Sequence, residues 1–161
     1  MSRDTILMAH GGGGELSKRL IEEHILPRLA NPLLDPLTDG AILDVPAGRL
    51  CVTTDASVVQ PLFFPGGDIG RLTVCGTVND LAMMGAKPLA LTLALVIEEG
   101  LGFAELDRVL DSIAATAREA GVVVAAGDTK VVERRRGDGL VIGTAGVGLV
   151  RPGLELGTPR C

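Results

Sequence analysis

The chain has 161 residues, a formal net charge of −5 and 47% hydrophobic residues, enough for one domain with a real core. The acidic balance argues against a nucleic-acid surface, which needs clustered Lys and Arg against phosphates. No apolar run approaches the ~18 residues of a membrane span, and MSRDTILMAH carries no long apolar stretch or small-residue cleavage site, so a cytoplasmic protein is expected.

In chain order, residues 4–10 form a short apolar segment leading into His10 and the four glycines Gly11 to Gly14. Leu16, Leu20, Ile21, Ile25 and Leu29 recur at helical spacing, predicting a helix over 15–30 that Pro27 ends or kinks. Residues 31–40 read as a turn-rich connector. Two strands, 41–45 and 50–54, are expected as a hairpin through Pro46-Ala47-Gly48, ending at Asp55. A helix follows between Pro65-Gly66-Gly67 and Gly85 with Pro88, capped by Asp68 and read as largely buried. Asn79 and Asp80 interrupt its apolar run. A carboxylate inside such a helix is costly unless paired or bound to a metal; the other reading puts Asp80 on the solvated side.

Residues 88–97 are an unbroken apolar run, predicted as a strand buried on both faces. Phe103, Leu106, Val109, Leu110, Ile113 and Ala117 give one face of a helix stopped by Gly121. Strands over 122–126, running into GDTKVV, and over 140–150 complete the set, and residues 151–161 read as tail. Glu98-Glu99 and the basic run Arg134 to Arg136 are both expected to be solvated. The fold class is α/β, a mixed sheet packed against helices rather than a doubly wound alternation.

Aromatics make up 2%, with no Trp or Tyr, so only Phe63, Phe64 and Phe103 are available to stack on a base. Three cysteines without an export signal argue against a disulfide framework. Cys51 and Cys75 read as core thiols, whereas Cys161 is the last residue. Gly11 to Gly14 before a helix suit a phosphate cradle, because glycine lets backbone N–H groups approach an anion. A merely flexible loop is the competing reading. Asp39, Asp55, Asp80 and Asp128 each sit in a turn, at a strand end or near a helix break. Singly, each is explained as a turn former or cap; together, they suit Mg²⁺ on a polyphosphate. Lys130, after Asp128 and Thr129, supplies a point cation for phosphate, with a surface salt bridge as its alternative use.

The segments LMAHGGGGEL, TTDASVVQPLFFPGGDIGRL, CGTVNDLAMMGAKPLAL and AAGDTKVV closely resemble the HypE family of hydrogenase maturation factors, within the superfamily of aminoimidazole ribonucleotide synthetase, selenophosphate synthetase and thiamine-phosphate kinase. The resemblance runs over about residues 5–150 and implies an N-terminal ATP-binding and dimerisation domain over 1–150, followed by a short tail. It implies ATP-dependent dehydration of a carbamoyl group carried on a C-terminal cysteine, here Cys161, with a HypF-like carbamoyltransferase before it and a HypC–HypD complex after it. By the same resemblance Asp39, Asp55 and Asp80 bind Mg²⁺ and phosphate. Asn79, Asp128, Thr129 and Lys130 line the ATP site, Gly11, Gly12, Gly13 and Gly14 close over it, and two copies pair their sheets into a barrel. Two departures accompany it: the family's second α/β domain is not in this sequence, and the ending Pro159-Arg160-Cys161 is one residue shorter than the family's. A non-catalytic dimerisation module, or another synthetase or kinase of the superfamily, is the alternative.

Overall fold

The computed structural model describes residues 4–154 and 156. Its frame is a four-stranded mixed sheet of β1 (Leu50–Ser57), β4 (Ala86–Glu98), β5 (Val123–Val132) and β6 (Leu140–Val150), in the order β1-β6-β4-β5. β6 runs antiparallel to both neighbours, while β4 and β5 are parallel and joined over helix α4 (Phe103–Ala120), the crossover a parallel pair requires. Helix α3 (Ile69–Met83) lies beside α4 on the same sheet face, entered through a small hairpin of β2 (Phe63–Phe64) and β3 (Gly67–Asp68).

Local chemistry fixes the two long helices. Asp68 caps α3, its Oδ1 accepting the Arg71 N–H at 3.0 Å and its Oδ2 the Ser112 hydroxyl of α4 at 2.8 Å. Ile69, Thr73, Thr77 and Leu81, four residues apart, form its buried stripe. Gly146 of β6 lets that stripe sit close: a Cβ there would lie 2.7 Å from Thr77 Cγ2. In α4, Leu106, Val109, Leu110, Ile113 and Ala117 face the core, and Gly121 ends the helix in the left-handed conformation at φ 68°.

Several expectations need correction. The helix predicted over 15–30 is α1 (Glu15–Arg19), a π segment (Leu20–Ile25) and α2 (Leu26–Leu29) in succession, and Pro27 occupies the first turn of α2, where a missing N–H is tolerated. Residues 41–45 form no strand: β1 takes its ladder from β6 over eight pairs, leaving Ile42 88% exposed. The helix bearing Asn79 and Asp80 is half-exposed rather than largely buried, with Met83 70% exposed, because only one stripe meets the sheet. β4 is buried on one face only: Leu91, Leu93, Leu95 and Ile97 lie under the helices, whereas Thr92 and Ala94 are exposed on a face the single chain leaves open. Glu98 is not simply solvated. Its carboxylate accepts the N–H groups of Arg135, Gly137 and Gly139 and so ties down the exposed turn holding Arg134 to Arg136. Cys51 and Cys75 are free thiols and only partly buried. Cys161, Pro159 and Arg160 lie outside the described residues.

Candidate functional site

The residues singled out in the sequence fall into two groups at opposite edges of the sheet. The first borders a pocket of ≈ 250 Å³ beside β5. The turn Met8–Gly11 lays Gly11 so tightly on β5 that a Cβ would stand 2.6 Å from the Val131 nitrogen. Gly11 and Gly13 line the pocket together with Asp128, Thr129 and Lys130. Gly13 donates its N–H to Ser17 Oγ at 2.8 Å, which ties the loop to the first turn of α1. Gly12 and Gly14 belong to the loop, Gly14 as the N-cap of α1, without lining the pocket. The interior is apolar, walled by Leu20, Ile25, Leu29, Leu93 and Leu95 among others, so polar groups gather at the mouth.

Register explains how β5 presents its residues. Asp128 and Lys130 pair beside Ala94 and Val96, on the open face, while Thr129 pairs beside Leu95 on the helix face. Lys130 Nζ lies 3.1 Å from Asp128 Oδ1, both side chains 64% exposed. An exposed pair of this kind is weak and readily exchanged for a stronger anion. Asp39 is exposed in the bend after Thr38, two residues beyond Leu37 of the pocket wall and hence within ~7 Å of chain from it.

The second group occupies the crevice between β1 and α3. Asp55 points at the helix: a Cβ on Gly76 would lie 2.5 Å from its Oδ2. One turn further along α3, Asp80 Oδ2 accepts the Thr53 hydroxyl at 2.9 Å, and Thr53 and Asp55 share one face of β1. Asn79 is exposed beside Asp80. The donors here are all oxygens, the set a hard cation takes. Among the described residues no three His, Cys, Asp or Glu side chains gather into a ligand cluster. Three strand spacings, roughly 14 Å, separate this crevice from the β5 pocket.

Two of the three aromatic candidates, Phe63 and Phe103, are already engaged. Arg108 lies over the Phe63 ring at 3.8 Å, and Phe103 is held between His10 and His24. Ser17 and Thr53, which position the glycine loop and Asp80, were not singled out from the sequence. Thr53 was readable, since it lies two residues before Asp55 on the same strand face; Ser17 became significant only once its hydroxyl was seen to meet Gly13. Among the described residues no helix is long and apolar enough to cross a membrane.

The sequence signature described as AIR synthase related protein, N-terminal domain, matches residues 37–150. Carbamoyl dehydratase HypE of Azotobacter vinelandii is 52% identical over 152 residues, covering 94% of this chain and 45% of that protein. A crystal structure of hydrogenase maturation protein HypE in complex with ATP superposes with a TM-score of 0.89 at 48% identity, covering 91% of this chain and 44% of the other. A crystal structure of a HypE–HypF complex gives a TM-score of 0.66 at 48% identity, covering 84% and 44%. The chain thus spans about half the length of the relatives it matches. It belongs to the AIR synthase related protein family, and within that family its similarity is to the N-terminal half of the HypE hydrogenase maturation proteins.

Proposed function

We propose that this chain is the nucleotide-binding and pairing domain of an ATP-dependent carbamoyl dehydratase of the HypE type. The observation that carries the reading is the pocket where Gly11, Gly13, Asp128, Thr129 and Lys130 meet. The likeness to an ATP-bound HypE over 91% of the chain supports it. Backbone N–H groups of the glycine loop and the Lys130 ammonium receive the phosphates, with Lys130 leaving Asp128 for the stronger anion. Thr129 adds a hydroxyl donor, and the leucine-lined interior excludes water.

The chemistry served is dehydration of a thiocarbamate on a terminal cysteine, Cys161 in this sequence. The carbamoyl oxygen attacks the γ-phosphorus and ADP leaves. The two N–H protons are then lost as the C–O bond breaks, giving an S-bound nitrile and inorganic phosphate. Asp55 and Asp80, with Asp39 at the pocket side, are the oxygens that would hold Mg²⁺. Asp55 Oδ1 accepts the Ala56 N–H at 2.8 Å, and the Gly76 cradle, which a methyl group would fill, leaves room for its Oδ2 in the crevice. Bound there, Mg²⁺ supplies charge neutralisation on the transferring phosphoryl group.

Because the two acid groups stand at opposite sheet edges, a second copy is proposed to bring its β1 edge to this pocket, closing two open sheet faces into one barrel with ATP at the junction. A HypF-like carbamoyltransferase as donor and a HypC–HypD complex as acceptor, in the cytoplasm, complete the reading. The relative crystallised with HypF supports the first of these partners. A non-catalytic pairing module is the second reading, favoured by the separation of the acids within one chain. Calorimetry with Mg²⁺-ATP on the 161-residue chain, paired with its mass in solution, tests both. Binding to a dimer supports the enzyme domain, and a dimer that takes up no nucleotide supports the module.

A further inference from the structure

Phe103 opens α4, and its ring is gripped by two histidines from separate parts of the N-terminal segment. His24, in the π segment, stacks on it with centroids 4.3 Å apart and 17° between planes. His10 meets it edge-on at 5.3 Å and 80°. The two histidines are anchored independently. His10 is buried, at 8% exposure, and its Nδ1 accepts the Leu7 N–H at 2.9 Å. His24 Nδ1 lies 2.7 Å from Asp107 Oδ1, and Arg28, one turn on, reaches Asp107 at 3.2 Å and Asp111 at 2.8 Å. Two residues four apart on the N-terminal helix thus meet two carboxylates four apart on α4, on side chains that, Asp111 aside, are mostly buried.

His10 immediately precedes Gly11, the residue pressed onto Val131 of β5. It lines both the ≈ 250 Å³ pocket and a wider outer groove of ≈ 810 Å³, whereas Phe103 and His24 line only the groove. His10, with Leu20, therefore lies between the two, and Phe103 and His24 brace His10 from the groove side. We propose that Phe103 and His24 are positioning residues, which fix His10 and through it hold the glycine loop against β5 over Thr129 and Lys130. The proposal rests on the nucleotide reading of that pocket. Neither residue touches the pocket, so its action is relayed by the loop. A π turn at His24 suits this role, because π turns inside helices gather at functional positions.

The test compares Phe103→Leu, which removes the ring, with Phe103→Tyr, which keeps it, in the full chain. Two quantities are measured: Mg²⁺-ATP affinity by calorimetry, and hydrogen exchange at the Gly11 to Gly14 amides without nucleotide. Phe103→Leu is expected to weaken ATP binding about five- to tenfold, the low end of what losing two ring contacts corresponds to because the effect is relayed through the loop, and to speed exchange at the loop. Phe103→Tyr should restore both. A Phe103→Leu protein that melts earlier yet keeps wild-type affinity and loop protection overturns the proposal. Wild-type protein that binds no Mg²⁺-ATP sinks the nucleotide reading instead; the exchange data on the free protein then still decide whether the stack holds the loop.

Discussion

Gly76 faces Asp55 across the β1–α3 crevice with no room for a methyl group, and this makes it an informative single position. Replacing a glycine inside a helix by alanine favours the helix by up to about 1 kcal/mol. The added Cβ would stand 2.5 Å from Asp55 Oδ2, the far end of a side chain that can turn away. Gly76→Ala is therefore expected to leave the melting temperature unchanged or slightly raised while weakening Mg²⁺-ATP binding about tenfold, roughly the value of one lost ligand interaction. Asp80→Asn provides the companion experiment. The amide oxygen still accepts the Thr53 hydroxyl that Asp80 now accepts at 2.9 Å, so the fold should be untouched. Losing the charge should weaken nucleotide affinity in Mg²⁺ but not in its absence. Unchanged affinity in both variants would remove this crevice from the site. The acids themselves were legible in the sequence, but their division between two edges was not, since that depends on the strand order β1-β6-β4-β5.

At the scale of elements, the β4 terminus and the turn after β5 are coupled through Glu98. Hydrogen bonds from the Arg135 N–H first, then those of Gly139 and Gly137, with the Arg134 charge adding to them, hold its carboxyl below the usual glutamate value of 4.5, against the opposing effect of burial. A carboxyl depressed in the folded state stabilises above the unfolded value and loses that contribution as pH falls through the folded one. Order in the 133–139 turn should accordingly be full above pH 4.5 and fall away below it. Amide exchange at Arg135, Gly137 and Gly139 reports this, and Glu98→Gln should abolish the pH dependence at those amides. Adjacent carboxylates at a strand end gave no warning of this role, because the turn that Glu98 holds lies more than thirty residues on. Signals confined to a few residues were readable: the Asp68 cap and the Gly121 stop sit where the sequence put them. The complementary spacing of His24 and Arg28 with Asp107 and Asp111 was also there to be seen, but only tertiary structure says which two helices meet. Residues 41–45 misled because a short apolar run describes a strand without supplying its partner, and β1 found a better one in β6.

For the molecule as a whole, the expectation that 88–97 is buried on both faces carries more than an error of burial. Apolar side chains do occupy both faces, yet the chain covers only one. On the other, Val52 is 69% and Leu50 51% exposed on β1, paired beside the partly buried Val147 and Leu149 of β6, so apolar side chains adjoin across two strands of the open face. Val52→Glu separates the possibilities. On a monomer, a substitution at so exposed a position changes stability by no more than about 0.5 kcal/mol and nothing else. If two copies bury this face against each other, the carboxylate cannot be desolvated without a partner, and the pair should dissociate into folded monomers, read as a halved mass in solution. Nucleotide binding then follows from topology. The β5 pocket and the β1–α3 crevice lie three strands apart in one chain, so a site drawn from both needs a second copy, and the Val52→Glu monomer should lose Mg²⁺-ATP affinity although no residue lining the pocket or the crevice has changed. A monomer that bound Mg²⁺-ATP as tightly as wild type would place the whole site within one chain and leave the open face to some other partner.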